Sequence, residues 1–210
     1  MNDITAPAAD HVTTVLRAGP DVASDDLARL HTHLATVAER RGVLDIAYRT
    51  FDSPVGELLL AATDTGLVRV AFPNQDHDAV LARLADTVSP RILHAAARLD
   101  DVARELDEYF TGRRRAFDLR LDLRLAHGFR REVLEQLPTI GYGRTASYTS
   151  AAAAAGRPRA VRAAATACAL NPLPVVLPCH RVVRADGSLG RYVGGEPAKQ
   201  TLLDLEAGPV

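Results

Sequence analysis

A thiol and an imidazole stand side by side at Cys179-His180, within Pro178-Cys179-His180-Arg181-Val182, and a carboxylate follows at Glu206. Thiolate, not thiol, is the reactive species, and an imidazole oriented by a carboxylate is a general means of forming it near neutral pH. With Cys179 as nucleophile, His180 as base and Glu206 as orienting acid, the segment has the logic of a catalytic triad. The run Val175-Val176-Leu177 is short, apolar and β-branched, and it closes on Pro178. It predicts a buried strand that hands Cys179 to a loop. Arg181 is expected to hold that loop by pairing with a nearby acid. A zinc site is not expected, because no second Cys/His pair at ligand spacing accompanies the first. The pairing leaves the electrophile unnamed.

The rest of the chain must position these groups. Its 210 residues can bury a sizeable core as one domain or two small ones, and 47% hydrophobic with 24% charged residues exclude general disorder. Two cysteines, Cys168 and Cys179, are too few for a disulfide framework, so a reducing cytoplasm is the expected compartment. The first residues have no basic stretch leading into an apolar one, and no apolar run reaches spanning length, so neither a secretory signal nor a membrane span is expected. A net charge of −1 argues against wholesale nucleic-acid binding. The charge is uneven, however: from His127 onward ten Arg/Lys face six acids, a surplus of four, and the preceding part carries −5. That asymmetry is the footprint of a polyanion-binding module on a support domain.

Composition and periodicity divide the chain into 1–43, 44–124 and 125–210. Residues 1–23 read as a flexible lead. Residues 25–41 predict a helix with Asp25 and Asp26 at its start and a packing stripe of Leu27, Leu30, Leu34 and Val37. The period then changes to two, and Leu44–Thr50, Glu57–Thr63 and Leu67–Phe72 predict an antiparallel meander. Helices are expected over 77–87 and 97–111. Arg113-Arg114-Arg115 reads as a solvated helix end rather than a nucleic-acid patch. After a boundary near 121–128, helices are expected over Phe129–Leu137, through Ala151–Ala155, and from Arg159 to Ala169. The turn Gly156-Arg157-Pro158 between the last two gives helix-turn-helix spacing. On the second helix Ala160, Ala163, Ala164, Ala165 and Ala167 surround one long side chain, Arg162. Base-edge reading in the major groove asks for several long polar side chains. A nearly bare helix instead suits close approach to a groove, or simply tight packing.

These residues resemble the O6-alkylguanine-DNA alkyltransferases, the methylated-DNA–protein-cysteine methyltransferases. The resemblance runs over about 80 residues: Gly141-Tyr142-Gly143-Arg144-Thr145 and Ser147-Tyr148, then Gly156 to Ala163, then Asn171 to Val183, then Asp186 to Gly190, Tyr192, Gly194-Gly195, Lys199, Leu202-Leu203 and Glu206. The Ser53-Pro54-Val55-Gly56 turn and the strands after it also look like the family's N-terminal domain. The resemblance implies an α+β fold: a small N-terminal α/β domain with an antiparallel, ribonuclease H-like sheet, and a mostly helical, winged helix-turn-helix-like C-terminal domain. It implies single-turnover transfer of a methyl or other alkyl group from O6 of guanine, with O4 of thymine as a second donor, to Cys179. The base is flipped from double-stranded DNA bound through its minor groove, with no cofactor and no metal.

By the same resemblance, Arg162 fills the space of the extruded base, Tyr148 rotates the phosphate and donates a proton toward guanine N3, and Asn171 ties the helix-turn-helix to the active-site loop. Ala163, Arg159, Thr145 and Ser147 join Arg162 and Tyr148 on the DNA, and Val182, Tyr192, Val193 and Gly194 line the base pocket. A monomer is the default. The chain departs from the family pattern at Val193, where a small or hydroxylated residue is frequent, at Gly141, where Pro is frequent, and in Ala165 to Leu170, which lacks the usual glycines. Cys168 reads as a small helical hydrophobe. Two other classes fit the Cys-His pair: a damage-binding module without transfer, and a cysteine hydrolase. The first lacks the reactive Cys found here, and the second leaves the Arg162 helix unexplained.

Overall fold

The computed structural model describes residues 24–208, so the lead expected over 1–23 lies outside the described residues. Among the described residues no helix is long and apolar enough to cross a membrane. Helix α1 (Ser24–Arg40) leads to strands β1 (Ile46–Phe51), β2 (Leu58–Ala62) and β3 (Leu67–Ala71), then α2 (His77–Thr87) and β4 (Ile92–His94). The sheet order is β3-β2-β1-β4. The β1–β2 and β2–β3 pairs are antiparallel, as the alternation predicted, while β4 runs parallel to β1 with Ala47 beside Leu93. This fourth strand was not expected, since three residues are too few to show a period.

Every residue of the central strand β2 is buried, because both faces of the sheet are covered. Ile46, Ala61 and Val68 pack with Leu84 of α2 on one face. Leu58, Leu60 and Ala62 look the other way, into a core that runs on through both halves of the molecule. That second face meets α3 (Asp100–Phe110), entered by a 3-10 turn, Ala96–Leu99. Asp100 and Asp101 sit favourably at the positive end of α3, and Val102, Leu106 and Tyr109 form its buried stripe. Arg113 pairs with Asp107, Arg114 with Glu105 and Glu108, and Arg115 lies over the Tyr142 ring. The triple arginine is therefore engaged locally.

Helix α1 packs through Ala35 and Ala38 and an Arg98–Glu39 ion pair, and not through the predicted leucine stripe. Leu27, Leu30 and Leu34 remain 45%, 57% and 51% exposed.

The C-terminal half is mostly helical: α4 (Phe129–Gln136), α5 (Tyr148–Ala154), α6 (Val161–Ala169) and α7 (Gly195–Ala207). The α5–turn–α6 unit packs on α4, and a short parallel pair joins β5 (Ala146–Ser147) to β6 (Val182–Val183). Ala164 and Ala167 of α6 are buried against these neighbours rather than placed around Arg162. Their small size serves tight helix packing, so the bare outer face is narrower than the sequence implied. The predicted strand at Val175–Leu177 is likewise absent. These residues are buried but form a turn, because Pro172, Pro174 and Pro178 remove ladder donors and Val175 adopts φ +72°.

Candidate active site

The turn before Cys179 is held against its own strain. A β-branched residue in the left-handed region costs about 1–2 kcal/mol and persists only where its surroundings over-determine it. Here Val175 is buried, Leu177 N–H donates to Leu173 O at 2.8 Å, and the Asn171 side chain ties the two ends together. Asn171 Oδ1 accepts from Leu173 N–H at 2.9 Å, while Nδ2 donates to Leu177 O at 2.8 Å and lies 3.1 Å from Cys179 Sγ. The chain then coils through a 3-10 turn, Cys179–Arg181, into β6.

Cys179 is 2% exposed, and burial pushes its thiol up to about 11 against the opposing pull of the Asn171 amide and the Lys199 charge. At neutral pH the sulfur therefore keeps its proton and needs a base to react. His180, beside it, is completely buried, and burial depresses its basicity against the opposing Glu206. Its Nε2 lies 2.8 Å from Glu206 Oε1. An ionised carboxylate can only accept, so Nε2 carries the proton and Nδ1 bears the lone pair. That Nδ1 is buried and bonds to no protein group among the described residues.

Glu206 is the hub of the site. Tyr109 OH donates to Oε1 at 2.7 Å, Arg181 grips both oxygens at 2.9 Å, and Gly143 N–H reaches Oε2 at 3.2 Å. Burial alone would raise its pKa, but the bonds from His180, Arg181 and Tyr109 prevail and hold it at about 2. Arg181 thus pairs with an acid, and the acid is Glu206 itself. Below the site Lys199 is fully buried, and its ammonium donates to Val182 O at 2.6 Å and to Leu189 O, clamping both ends of the segment after the 3-10 turn.

Asn171, Cys179, His180 and Glu206 are thereby brought together in one buried cluster. Tyr148 borders it: its hydroxyl lies against Gly190, where an added Cβ would sit 2.8 Å away. Burial raises the Tyr148 phenol pKa, reinforced by the nearby Cys168 and Cys179 sulfurs. Val182 is buried, and Tyr192 packs edge-on against both His180 and Phe72. Gly194 is needed for close approach, since a Cβ there would come within 2.7 Å of the Phe72 ring. Val193 offers its carbonyl to Asn74 Nδ2 at 3.1 Å, a link to the N-terminal domain. Thr145, Arg159, Arg162 and Ala163 are exposed and lie outside the buried cluster. Ser147 caps α5, accepting from Ser150 N–H at 3.0 Å. Among the described residues no group of three or more His, Cys, Asp or Glu is arranged to hold a metal.

Sequence reasoning missed Tyr109, which comes from α3, 97 positions from Glu206, and belongs to no local motif. The one available signal was a hydroxyl on the buried stripe of a predicted helix, since a buried phenol usually finds a partner. Tyr109→Phe should cost about 1.5–3 kcal/mol in urea unfolding, the worth of a hydrogen bond to a charged group. Unchanged stability would show that the hydroxyl does not support Glu206.

A small mixed sheet joined to a helix-turn-helix, with a buried, hydrogen-bonded thiol beside an imidazole and a carboxylate, defines a two-domain protein with a cysteine at its centre. Residues 46–123 match the ribonuclease-like domain, and residues 128–208 the DNA binding domain, of 6-O-methylguanine DNA methyltransferase. The chain belongs to that family. A methylated-DNA–protein-cysteine methyltransferase of Mycolicibacterium paratuberculosis is 42% identical over 161 residues, 77% of this chain and 92% of that protein. The crystal structure of the O6-methylguanine methyltransferase of Mycobacterium tuberculosis matches with TM-score 0.68 and 36% identity, over 77% of this chain and 93% of that one. The same organism's protein in complex with DNA matches with TM-score 0.67 and 36% identity, over 77% and 92%.

Proposed function

We propose that this chain repairs alkylated DNA by moving a methyl or other alkyl group from O6 of guanine, or O4 of thymine, to Cys179, once per molecule. The observation that carries the reading is the protonated, buried Cys179 held at Sγ by Asn171, beside a neutral His180 whose bonded nitrogen faces Glu206. The free Nδ1 lone pair accepts the thiol proton through a water, and Glu206 stabilises the imidazolium that forms. As the S–C bond forms, the C–O6 bond breaks and its electron pair passes to the guanine. A proton from Tyr148 toward N3 neutralises the leaving base. Thiol, imidazole and carboxylate supply nucleophile and base, so the reaction calls for no cofactor or metal. The thioether product resists hydrolysis, which makes the transfer irreversible.

The target atom is shielded in a stacked duplex, so the base must leave the helix. Exposed Arg162, near the start of α6, is proposed to enter the minor groove and hold the vacated space, with Ala163 allowing close approach. Thr145, Ser147 and Arg159 flank it on the backbone side. Val182, Tyr192, Val193 and Gly194 form the base pocket, and Asn171 couples the α6 end to the loop. In this reading residues 1–43 are an extension, 44–124 support, and 125–210 bind DNA and transfer the group, in a cytoplasmic monomer. Arg162→Ala should slow transfer from duplex by about 10- to 100-fold, a few kcal/mol of unstacking left uncompensated, while transfer from a free alkylguanine base stays near wild type. Equal losses on the two substrates would assign Arg162 a structural role only.

A further inference from the structure

On the opposite side of the sheet from Tyr109, a cleft of about 470 Å³ opens between the two domains. Its walls come from β3, α2, the end of α6 and the segment around Val193. Three arginines line it, Arg69, Arg83 and Arg130, and no carboxylate does. Arg69 Nε is buried with no hydrogen-bond partner among the described residues. Neither Arg69 nor Arg83 is in an ion pair there, although most other buried or half-buried arginines of the N-terminal domain are. Burial, with the Arg83 charge close by, lowers the Arg69 pKa. Arg130 spends one nitrogen on Leu125 O at 2.7 Å and keeps its other donors. Arg83 is exposed, but Arg69 is half-buried, and a desolvated charge without a counter-ion is costly unless an anion joins it. The planar fork of Arg matches phosphate oxygens bidentately.

The other wall is apolar: Val80, Leu84, Leu125 and the exposed Leu170. A concave space of this size with one apolar wall and a few convergent polar groups suits a small molecule with a flat body and an anionic end. We propose that this cleft binds a phosphorylated small molecule of nucleotide size, its phosphates on Arg69 and Arg83 and its body against Val80 and Leu170. Duplex DNA is the less suitable occupant. The cleft lies at the C-terminal end of α6, about 10 Å along the helix from Arg162, the side chain proposed to enter the groove. Pro172, next to the fully buried Asn171, also lines the cleft, which therefore lies behind the segment that leads to Cys179. The proposal is independent of the alkyl-transfer reading.

Isothermal titration of the full chain with ADP should show saturable binding of one molecule. Arg83→Gln, at an exposed position, and Arg69→Gln should each weaken it by about tenfold or more, as expected for loss of a charge-assisted bond. Pyrophosphate alone and adenosine alone should each bind more weakly than ADP. Absence of saturable ADP binding, or binding that survives both substitutions, would overturn the proposal. So would a result in which ADP does not bind and both substitutions weaken affinity for duplex, which would make the cleft part of the DNA track.

Discussion

Cys179→Ala is expected to abolish alkyl transfer while changing duplex affinity by no more than about twofold. Cys179 is the group in the cluster that becomes a strong nucleophile, since the His180 Nδ1 lone pair is used as its base. Asn171, Glu206, Arg181 and Tyr109 are already hydrogen-bonded, and burial pushes the Cys168 thiol well up. Duplex affinity should survive because it rests on phosphate and groove contacts made by exposed residues, not on a sulfur that is 2% exposed. Replacing sulfur by hydrogen in a packed site leaves only a small cavity, and the Asn171 amide keeps its bond to Leu177 O. Gel-shift affinity and single-turnover transfer measured on the same preparation check both halves. Parallel loss of binding and transfer would show that Cys179 holds the DNA-binding surface together.

Glu206→Gln should both destabilise the fold and slow transfer. The variant keeps shape but removes the charge that compensates buried Arg181, and breaking one partner of a buried pair costs about 3–5 kcal/mol. It also removes the group that stabilises protonated His180, so transfer should fall by about 10²–10⁴. The pH dependence carries the same signature. Glu206 titrates at about 2 in the folded chain against 4.5 for an ordinary glutamate, so its stabilisation is complete above about pH 4.5 and is lost as pH falls toward 2. This loss is about 3 kcal/mol. His180, depressed by burial, adds to it in the same direction, because the unfolded chain takes up the imidazole proton first, below its ordinary value of 6.5. Urea unfolding of the wild type should therefore weaken below about pH 6.5 and more steeply below 4.5. Glu206→Gln should make the steeper part shallower, Asp122 and other lowered carboxylates supplying the rest, and an unchanged acid limb would mean that the ion pair is not what holds this site.

The helices at 77–87, 100–110 and 129–136 were legible because long apolar stripes, acidic first turns and flanking glycine or proline all agree on them. The Cys-His pair, Asn171 and Glu206 were legible as types and order, and the motifs around them carried the family. What failed was long-range. Strand β4 exists only because β1 offers it an edge, and Tyr109 reaches Glu206 only because the fold brings two residues 97 positions apart together. Local rules also misled where two of them conflicted. Val175–Leu177 is β-branched and buried like a strand, yet its flanking prolines and the positive φ of Val175 make it a turn. The leucine stripe of α1 has the right period for packing, but the helix buries its alanine side. Periodicity shows that a helix has an apolar face, and only the fold decides whether that face is covered.

Intact-mass spectrometry of the chain after mixing with a duplex that holds one O6-methylguanine decides whether Cys179 takes up the alkyl group. One added methyl group per molecule is expected, saturating there, with peptide mapping placing it on Cys179. An unchanged mass with the duplex bound, or repeated turnover without a modified cysteine, would contradict it.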